Sequence, residues 1–272
     1  MPPSQSEPGL YWFSYFDAME NISLSIRRTS GNPGSTEPYW QRFSVPVHSE
    51  NMSVLDALIW VQRNVDQSLA FRCACRVGMC GTCGNVINGR EGLACRTLVH
   101  NLVAGDNSEI RVMPMRHLPV VRDLVTDMTR FHTKIGKTVP SKPAETSEGD
   151  IAAILPNSRE RKDIEPQREC IYCGLCYSAC SVVGFDYEFL GPAALNRAFM
   201  ALFDSRTGSG QDDFQVVANE HGLWRCHTMF ECTAVCPKGI SPTLAIQRLK
   251  RRVVAQKLKR LFRLGRTSVR QA

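Results

Sequence analysis

The chain has 272 residues, 43% of them hydrophobic and 22% charged, with a formal net charge of +7. That length buries a core without disulfide staples, and the composition is that of an ordinary globular chain of two domains, so a disulfide-dependent fold is disfavoured. No apolar run reaches the roughly 18 residues of a spanning helix, and the start carries no secretory leader pattern, so neither a membrane span nor export is expected.

Near the start, Ile22–Arg28 (ISLSIRR) alternates like a half-buried strand, residues 31–38 (GNPGSTEP) are a turn-rich break, and Tyr39 to Val47 alternates again. This predicts a β-hairpin. Ser53 then stands as an N-cap before VLDALIWVQRNV, whose Val54, Leu55, Leu58, Ile59 and Val61 have helical spacing. NVINGR and EIRVMP read as short strands, so residues 1–120 form a mostly β domain with one helix, a ferredoxin-like β-grasp. In VVRDLVTDMTRFHTKI, the apolar residues Val121, Leu124, Val125, Met128 and Phe131 predict a helix bridging to a second domain, residues 121–272. Residues 136–157 are rich in Pro, Ser, Glu and Lys and read as a surface excursion. Pro192 to Phe203 and the stretch after Pro242 are helix-patterned, so the second domain is expected to be α-helical and the chain as a whole α+β.

The chemistry lies in the cysteines, of which there are twelve. Cys75, Cys80, Cys83 and Cys95 read C-x4-C-x2-C with a fourth further on, the plant-type spacing for a [2Fe-2S] centre. Gly78, Gly81 and Gly84 let the loop wrap a cluster and turn N–H groups toward its sulfurs. Zinc also takes four thiolates, but its structural sites usually pair two short knuckles, and only one short pair exists here. Cys73 is left over and reads as a buried small side chain without a role.

Cys170, Cys173, Cys176 and Cys180 form a C-x2-C-x2-C-x3-C run, in which the fourth cysteine serves a different cluster from the first three. The partner run is CHTMFECTAVCP, with Cys226, Cys232 and Cys236 at its first, third and fourth places and Met229 at its second. By the crossing rule, Cys170, Cys173, Cys176 and Cys236 hold a [4Fe-4S] cluster, while Cys180, Cys226 and Cys232 hold another with one thiolate missing. A thioether is a poor substitute at that corner, so a [3Fe-4S] cluster is expected there. Fewer anionic ligands raise its reduction potential and suit it to be a terminal acceptor. Helix N-termini beside these runs would donate N–H groups to cluster sulfur. Disulfides are disfavoured, since cysteines two or three residues apart bridge poorly.

Charge is concentrated at the end: from Pro237 onward there are eleven Lys and Arg and no Asp or Glu, which leaves −4 on the rest. Leu249, Val253, Val254, Leu258, Leu261 and Phe262 form an apolar stripe between basic faces. That is the pattern of an interfacial helix, with packing on its own domain as the plainer alternative. Nucleic acid is disfavoured because no recognition module accompanies the basic tail.

The motifs SVLDALIWV, LAFRCACRVGMCGTCGNVING, LPVVRDLVTDM, CIYCGLCYSAC, FLGPAALNRAF and CTAVCPKGISP together resemble the iron-sulfur subunit of the succinate dehydrogenase and quinol:fumarate reductase family. The likeness runs from Ile22 to Lys250. It implies a plant-type ferredoxin-like domain followed by a bacterial-ferredoxin-like one, and a subunit peripheral to the cytoplasmic face of a bacterial inner membrane. It further implies a flavoprotein partner that carries FAD and the dicarboxylate site, membrane-anchor subunits, and electron flow from flavin through [2Fe-2S], [4Fe-4S] and [3Fe-4S] to a quinone. No catalytic residue is expected in this chain, which has no G-x-G-x-x-G fingerprint for a flavin of its own. The quinone end departs from the best-known members: Ser181 stands where they carry proline, and the run CSVVGF has Phe185 and no tryptophan where they carry tryptophans a few residues on. His227 matches a family position near the quinone or a haem propionate, and Met229 lies beside it. CGLCYSAC without a following proline resembles the fumarate reductase side, which leans the expectation toward menaquinone. A soluble ferredoxin-type carrier and a zinc-stapled interaction protein are the rivals from other classes.

Overall fold

A computed structural model of the chain describes residues 21–29, 37–103, 109–138, 154–204, 206 and 211–268. The segment before Tyr15, most of the turn at 31–38 and the middle of the 136–157 excursion lie outside the described residues.

Strand β1 (Ile22–Arg28) pairs antiparallel with β2 (Tyr39–Val45), from Ile22 opposite Val45 to Arg28 opposite Tyr39, as the alternating pattern predicts. Helix α1 (Val54–Asn64) starts where the capping signal falls. The Asp56 N–H donates to Ser53 Oγ at 3.2 Å, and the Ser53 N–H donates back to the Asp56 carboxylate at 2.9 Å. Val54, Leu55, Ala57, Leu58 and Val61 are buried in one core with Ile22, Leu24 and Ile26 of β1, while Ile59 is half-buried. β3 (Gly84–Ile87), β4 (Arg90–Leu93) and β5 (Glu109–Met113) complete a five-stranded sheet in the order β2-β1-β5-β3-β4, with β1 and β5 parallel.

Two elements differ from the sequence expectation. NVINGR is not one strand: Asn88 and Gly89 both adopt positive φ, 46° and 82°, and turn the chain tightly from β3 into β4. Nor does a helix run from Val121. Residues Val120–Arg122 (β6) and Val125–Thr126 (β7) form a small hairpin, and helix α2 covers only Thr129–Gly136. The cause is tertiary. Asp123, at φ 47°, is buried at the hairpin turn, where its carboxylate accepts from the N–H groups of Thr29 (3.1 Å) and Ala70 (2.9 Å) and lies 3.0 Å from Arg28 Nε. A buried carboxylate with those partners overrides a weak helical pattern.

The second half is helical: α3 (Arg159–Arg168), α4 (Leu175–Ala179), α5 (Ser181–Phe185), α6 (Pro192–Phe203), α7 (Glu231–Ala234) and α8 (Pro242–Ser268). α6 occupies the residues its pattern predicts, with Pro192 in its first turn, and buries Leu195, Ala198 and Phe199 in a core shared with Ala245, Ile246, Leu249 and Val253 of α8. α2 docks here as well. Phe131 meets the Tyr177 ring edge-on, and the buried Lys134 ammonium donates to Tyr177 Oη and to the carbonyls of Tyr187 and Phe189. Between the halves, Ser178 Oγ donates to the buried Glu91 carboxylate of β4 at 3.0 Å and accepts from the Arg116 N–H at 2.8 Å.

Candidate metal-cluster sites

The first site is the loop from Cys75 to Cys83, between α1 and β3, together with Cys95 in the turn after β4. Arg76, Gly78 and Gly81 adopt φ values of 57°, 75° and 73°, and this left-handed backbone lets the loop curl around its own cysteines. The N–H groups of Met79 and Cys80 donate to Cys75 Sγ at 3.3 and 3.2 Å. The Thr82 hydroxyl, helped by backbone N–H donors, holds the Cys80 thiol down to about 6. Cys83 is buried beside Cys95 and Cys80, and burial pushes its thiol up to about 12.

Cys170, Cys173, Cys176 and Cys236 line one cavity, between the loop after α3, the start of α4 and the turn after α7. Tyr172 and Gly174, at φ 52° and 81°, make the turns that bring the first three cysteines round. Burial raises all three of these thiols, Cys173 to about 11 and Cys176 furthest.

Cys180, Cys226 and Cys232 line a second cavity with Phe189, Met229 and Thr243. Cys180 joins α4 to α5 and burial pushes it up to about 11, while Cys232 sits in α7 with Sγ 3.3 Å from Thr243 Oγ1 and is also raised by burial. His227 is exposed at the edge of this cavity, and Met229 lines it while remaining 60% exposed. The N–H and Oγ of Ser181 both donate to Glu231 Oε2, at 2.9 and 3.0 Å, tying α5 to α7.

The sites are arranged in succession. A Cβ on Gly81 would stand 2.7 Å from the Cβ of Cys173, so the loop of the first site lies against the second. Helix α4, which carries Cys176 of the second site, packs against α7, which carries Cys232 of the third.

The donor sets suit iron-sulfur clusters. They consist of free thiols: Cys83, Cys95 and Cys232 are buried, Cys80 is exposed and the others are half-buried, and desolvation at Cys83, Cys170, Cys173, Cys176, Cys180 and Cys232 disfavours a bare thiolate. Bound iron would supply the compensating positive charge and displace the protons. Among the described residues no three His, Cys, Asp or Glu side chains converge on a single ion. In a cubane-type cluster each cysteine holds its own iron, and in a [2Fe-2S] cluster two cysteines share one, so convergence of three side chains on one point is not required.

Cys73 is exposed, contrary to the buried position its small side chain suggests. It precedes the loop's inward turn. Thr82, Glu231 and Thr243 were not legible as site residues. Glu231 adjoins a ligand-patterned cysteine and Thr82 lies between two, but Thr243 comes from a distant helix start.

Comparison with known proteins agrees. Residues 23–133 match the family model of a 2Fe-2S iron-sulfur cluster binding domain, and residues 166–240 that of a 4Fe-4S dicluster domain. The chain is 38% identical over 250 residues to the fumarate reductase iron-sulfur subunit of Mycobacterium tuberculosis, covering 90% of this chain and 97% of that one. It is 34% identical over 223 residues to the mitochondrial succinate dehydrogenase (ubiquinone) iron-sulfur subunit of Dictyostelium discoideum, covering 79% and 77%. Among solved structures it is similar to a chain of the Mycobacterium smegmatis Sdh1 complex in the apo form, with a TM-score of 0.76, 29% identity and coverage of 89% of this chain and 98% of that one. With paired cluster domains in this order and relatives matched over most of their length, the chain belongs to the iron-sulfur subunit family of succinate dehydrogenase and fumarate reductase.

Proposed function

We propose that this chain conducts electrons between the FAD of a flavoprotein partner and a membrane quinone, in a succinate dehydrogenase complex or, run in reverse, a quinol:fumarate reductase. In this reading Cys75, Cys80, Cys83 and Cys95 hold [2Fe-2S]; Cys170, Cys173, Cys176 and Cys236 hold [4Fe-4S]; and Cys180, Cys226 and Cys232 hold [3Fe-4S]. Bound iron supplies the one-electron chemistry at each site. The protein supplies position and tuning. Met79 and Cys80 N–H groups aimed at Cys75 sulfur stabilise the added electron, and burial of Cys83 and Cys232 keeps water from their sulfurs.

The observation that carries this reading is the succession of the three cysteine sets, with Gly81 against Cys173 and the helix of Cys176 packed on the helix of Cys232. In this reading the first unit ends near residue 120 and the second begins at 121, with the β6–β7 hairpin at the junction tied back to the first through Asp123 and Arg28. Partners are a flavoprotein and one or more membrane-anchor subunits, at the cytoplasmic face of a bacterial inner membrane. No helix among the described residues is long and apolar enough to cross a membrane, so attachment is assigned to the anchors and to the basic helix α8.

The quinone end is assigned to the third site, with Ser181, His227 and Met229 nearby. Ser181 in place of proline frees an N–H, which Glu231 accepts; menaquinone is assigned on the likeness of CGLCYSAC without a following proline to the fumarate reductase side of the family. Adding succinate to the purified complex should reduce the clusters within one turnover, and quinone-reduction assays should show faster transfer to menaquinone analogues. Clusters left oxidised by succinate contradict the electron path, and a preference for ubiquinone contradicts the quinone assignment alone.

A further inference from the structure

We infer that α8 is bedded in an anionic lipid surface through Val254, Leu258 and Leu261. The inference rests on the reading of the chain as a membrane-attached subunit and names what its terminal helix touches.

Along α8, Thr243, Gln247, Lys250, Val254, Leu258 and Leu261 recur every three or four residues and so share one face. In the first half of the helix the third site covers that face. Thr243 lines its cavity, Gln247 Nε2 donates to Thr228 Oγ1 at 2.8 Å, and Lys250 Nζ donates to the Cys226 carbonyl at 2.8 Å. In the second half the same face emerges uncovered and turns apolar: Val254, Leu258 and Leu261 are 44%, 48% and 65% exposed, and the adjoining Phe262 is 73% exposed.

This stripe does not continue the helix's packing face. Ala245, Ile246, Leu249 and Val253, which are buried against the body, centre roughly 100° or more around the helix from it. The stripe points the way the third site points, where Met229 and Phe230 are also exposed at 60% and 59%.

Charge identifies the occupant. Arg251 and Lys257 flank the stripe, Arg252 and Lys259 lie toward the far side of the helix, all four are exposed, and no Asp or Glu occurs from Pro237 to the end. Cations spread along a helix whose opposite arc is apolar match a diffuse sheet of anionic headgroups over acyl chains, with the helix lying in the interface.

The test is sedimentation of the full-length, cluster-loaded chain with vesicles of phosphatidylcholine alone or of equimolar phosphatidylcholine and phosphatidylglycerol. The expected result is binding about tenfold or more stronger to the anionic vesicles, weakening as salt is raised. Leu258→Glu with Leu261→Glu, and separately Arg251→Glu with Lys259→Glu, should each lower it about tenfold. All four residues are exposed, so cluster absorption and EPR spectra should be unchanged. Equal binding to both vesicles, no binding to either, or binding indifferent to the Leu258 and Leu261 changes would overturn the inference. So would a wild-type chain that ignores vesicles while the leucine variant loses a membrane-anchor subunit, since the stripe would then be a protein contact. A chain without iron-sulfur spectra would instead count against the electron-transfer reading.

Discussion

Gly81 approaches Cys173 so closely that a Cβ on Gly81 would lie 2.7 Å from the Cys173 Cβ and 2.9 Å from its Cα. Real Cβ atoms do not come so near, so the absence of a side chain at Gly81 is what lets the first cysteine loop rest on the second. Gly81 also has φ +73°, which a side-chain-bearing residue adopts only under strain. Gly81→Ala should therefore push the loops apart and cost about 1–3 kcal/mol. A lower unfolding temperature together with weaker magnetic coupling between the first two clusters would show it; unchanged coupling would refute the contact.

The buried charges around Asp123 hold the β6–β7 hairpin on the first half. Arg28 is 4% exposed and Asp123 1% exposed, with Asp66 Oδ2 2.7 Å from Arg28 Nη1. Asp123→Ala leaves Arg28 short of a partner in the interior and unpairs the Thr29 and Ala70 N–H groups. The expected loss is about 3–5 kcal/mol, measured by denaturant unfolding. A loss below about 1 kcal/mol would mean that the hairpin is held elsewhere.

Lys134 is a buried cation, and burial lowers its pKa. Lys134→Met should cost about 1–3 kcal/mol near neutral pH, because the Tyr187 and Phe189 carbonyls lose their donor. The pH dependence has a definite sign. With its folded pKa below the unfolded 10.5, the folded chain releases the proton first, so wild-type stability rises relative to the variant as pH climbs toward 10.5. Stability measured from pH 8 to 10 on both proteins checks this, and a gap that narrows with pH contradicts it.

Met229 stands in the cavity of Cys180, Cys226 and Cys232 at the place where the run would carry a fourth cysteine. Met229→Cys should complete a four-iron cluster and abolish the three-iron EPR signal of the oxidised protein. Persistence of that signal would show that the fourth corner is closed by shape and not by the missing thiolate.

Much of the fold was legible where local chemistry acts alone. Ser53 before an apolar-periodic run gives a capped helix, ISLSIRR against YWQRFSV gives a hairpin, and Pro192 opens α6. The misreadings have tertiary or fine local causes. Apolar spacing from Val121 to Phe131 is helical, yet Asp123 is drawn into contact with Arg28, Thr29 and Ala70, partners far away in sequence. Asn88-Gly89 is a local turn signal hidden inside a run that looks like one strand. At the sites, cysteine spacing picks out sets that share a cavity, Cys170, Cys173, Cys176 and Cys236 in one and Cys180, Cys226 and Cys232 in another. Spacing cannot name Thr243, which reaches Cys232 from the start of another helix, or pair Ser181 with Glu231 across 50 residues.

The proposed electron path needs three clusters, the last of them short of one iron. Low-temperature EPR on the purified complex, oxidised and then stepwise reduced, with iron and acid-labile sulfide counted on the same sample, checks this. About nine irons and about ten sulfides per chain are expected, with a three-iron signal in the oxidised sample that disappears early on reduction. Zinc in place of iron, or about ten irons with no three-iron signal, would contradict it.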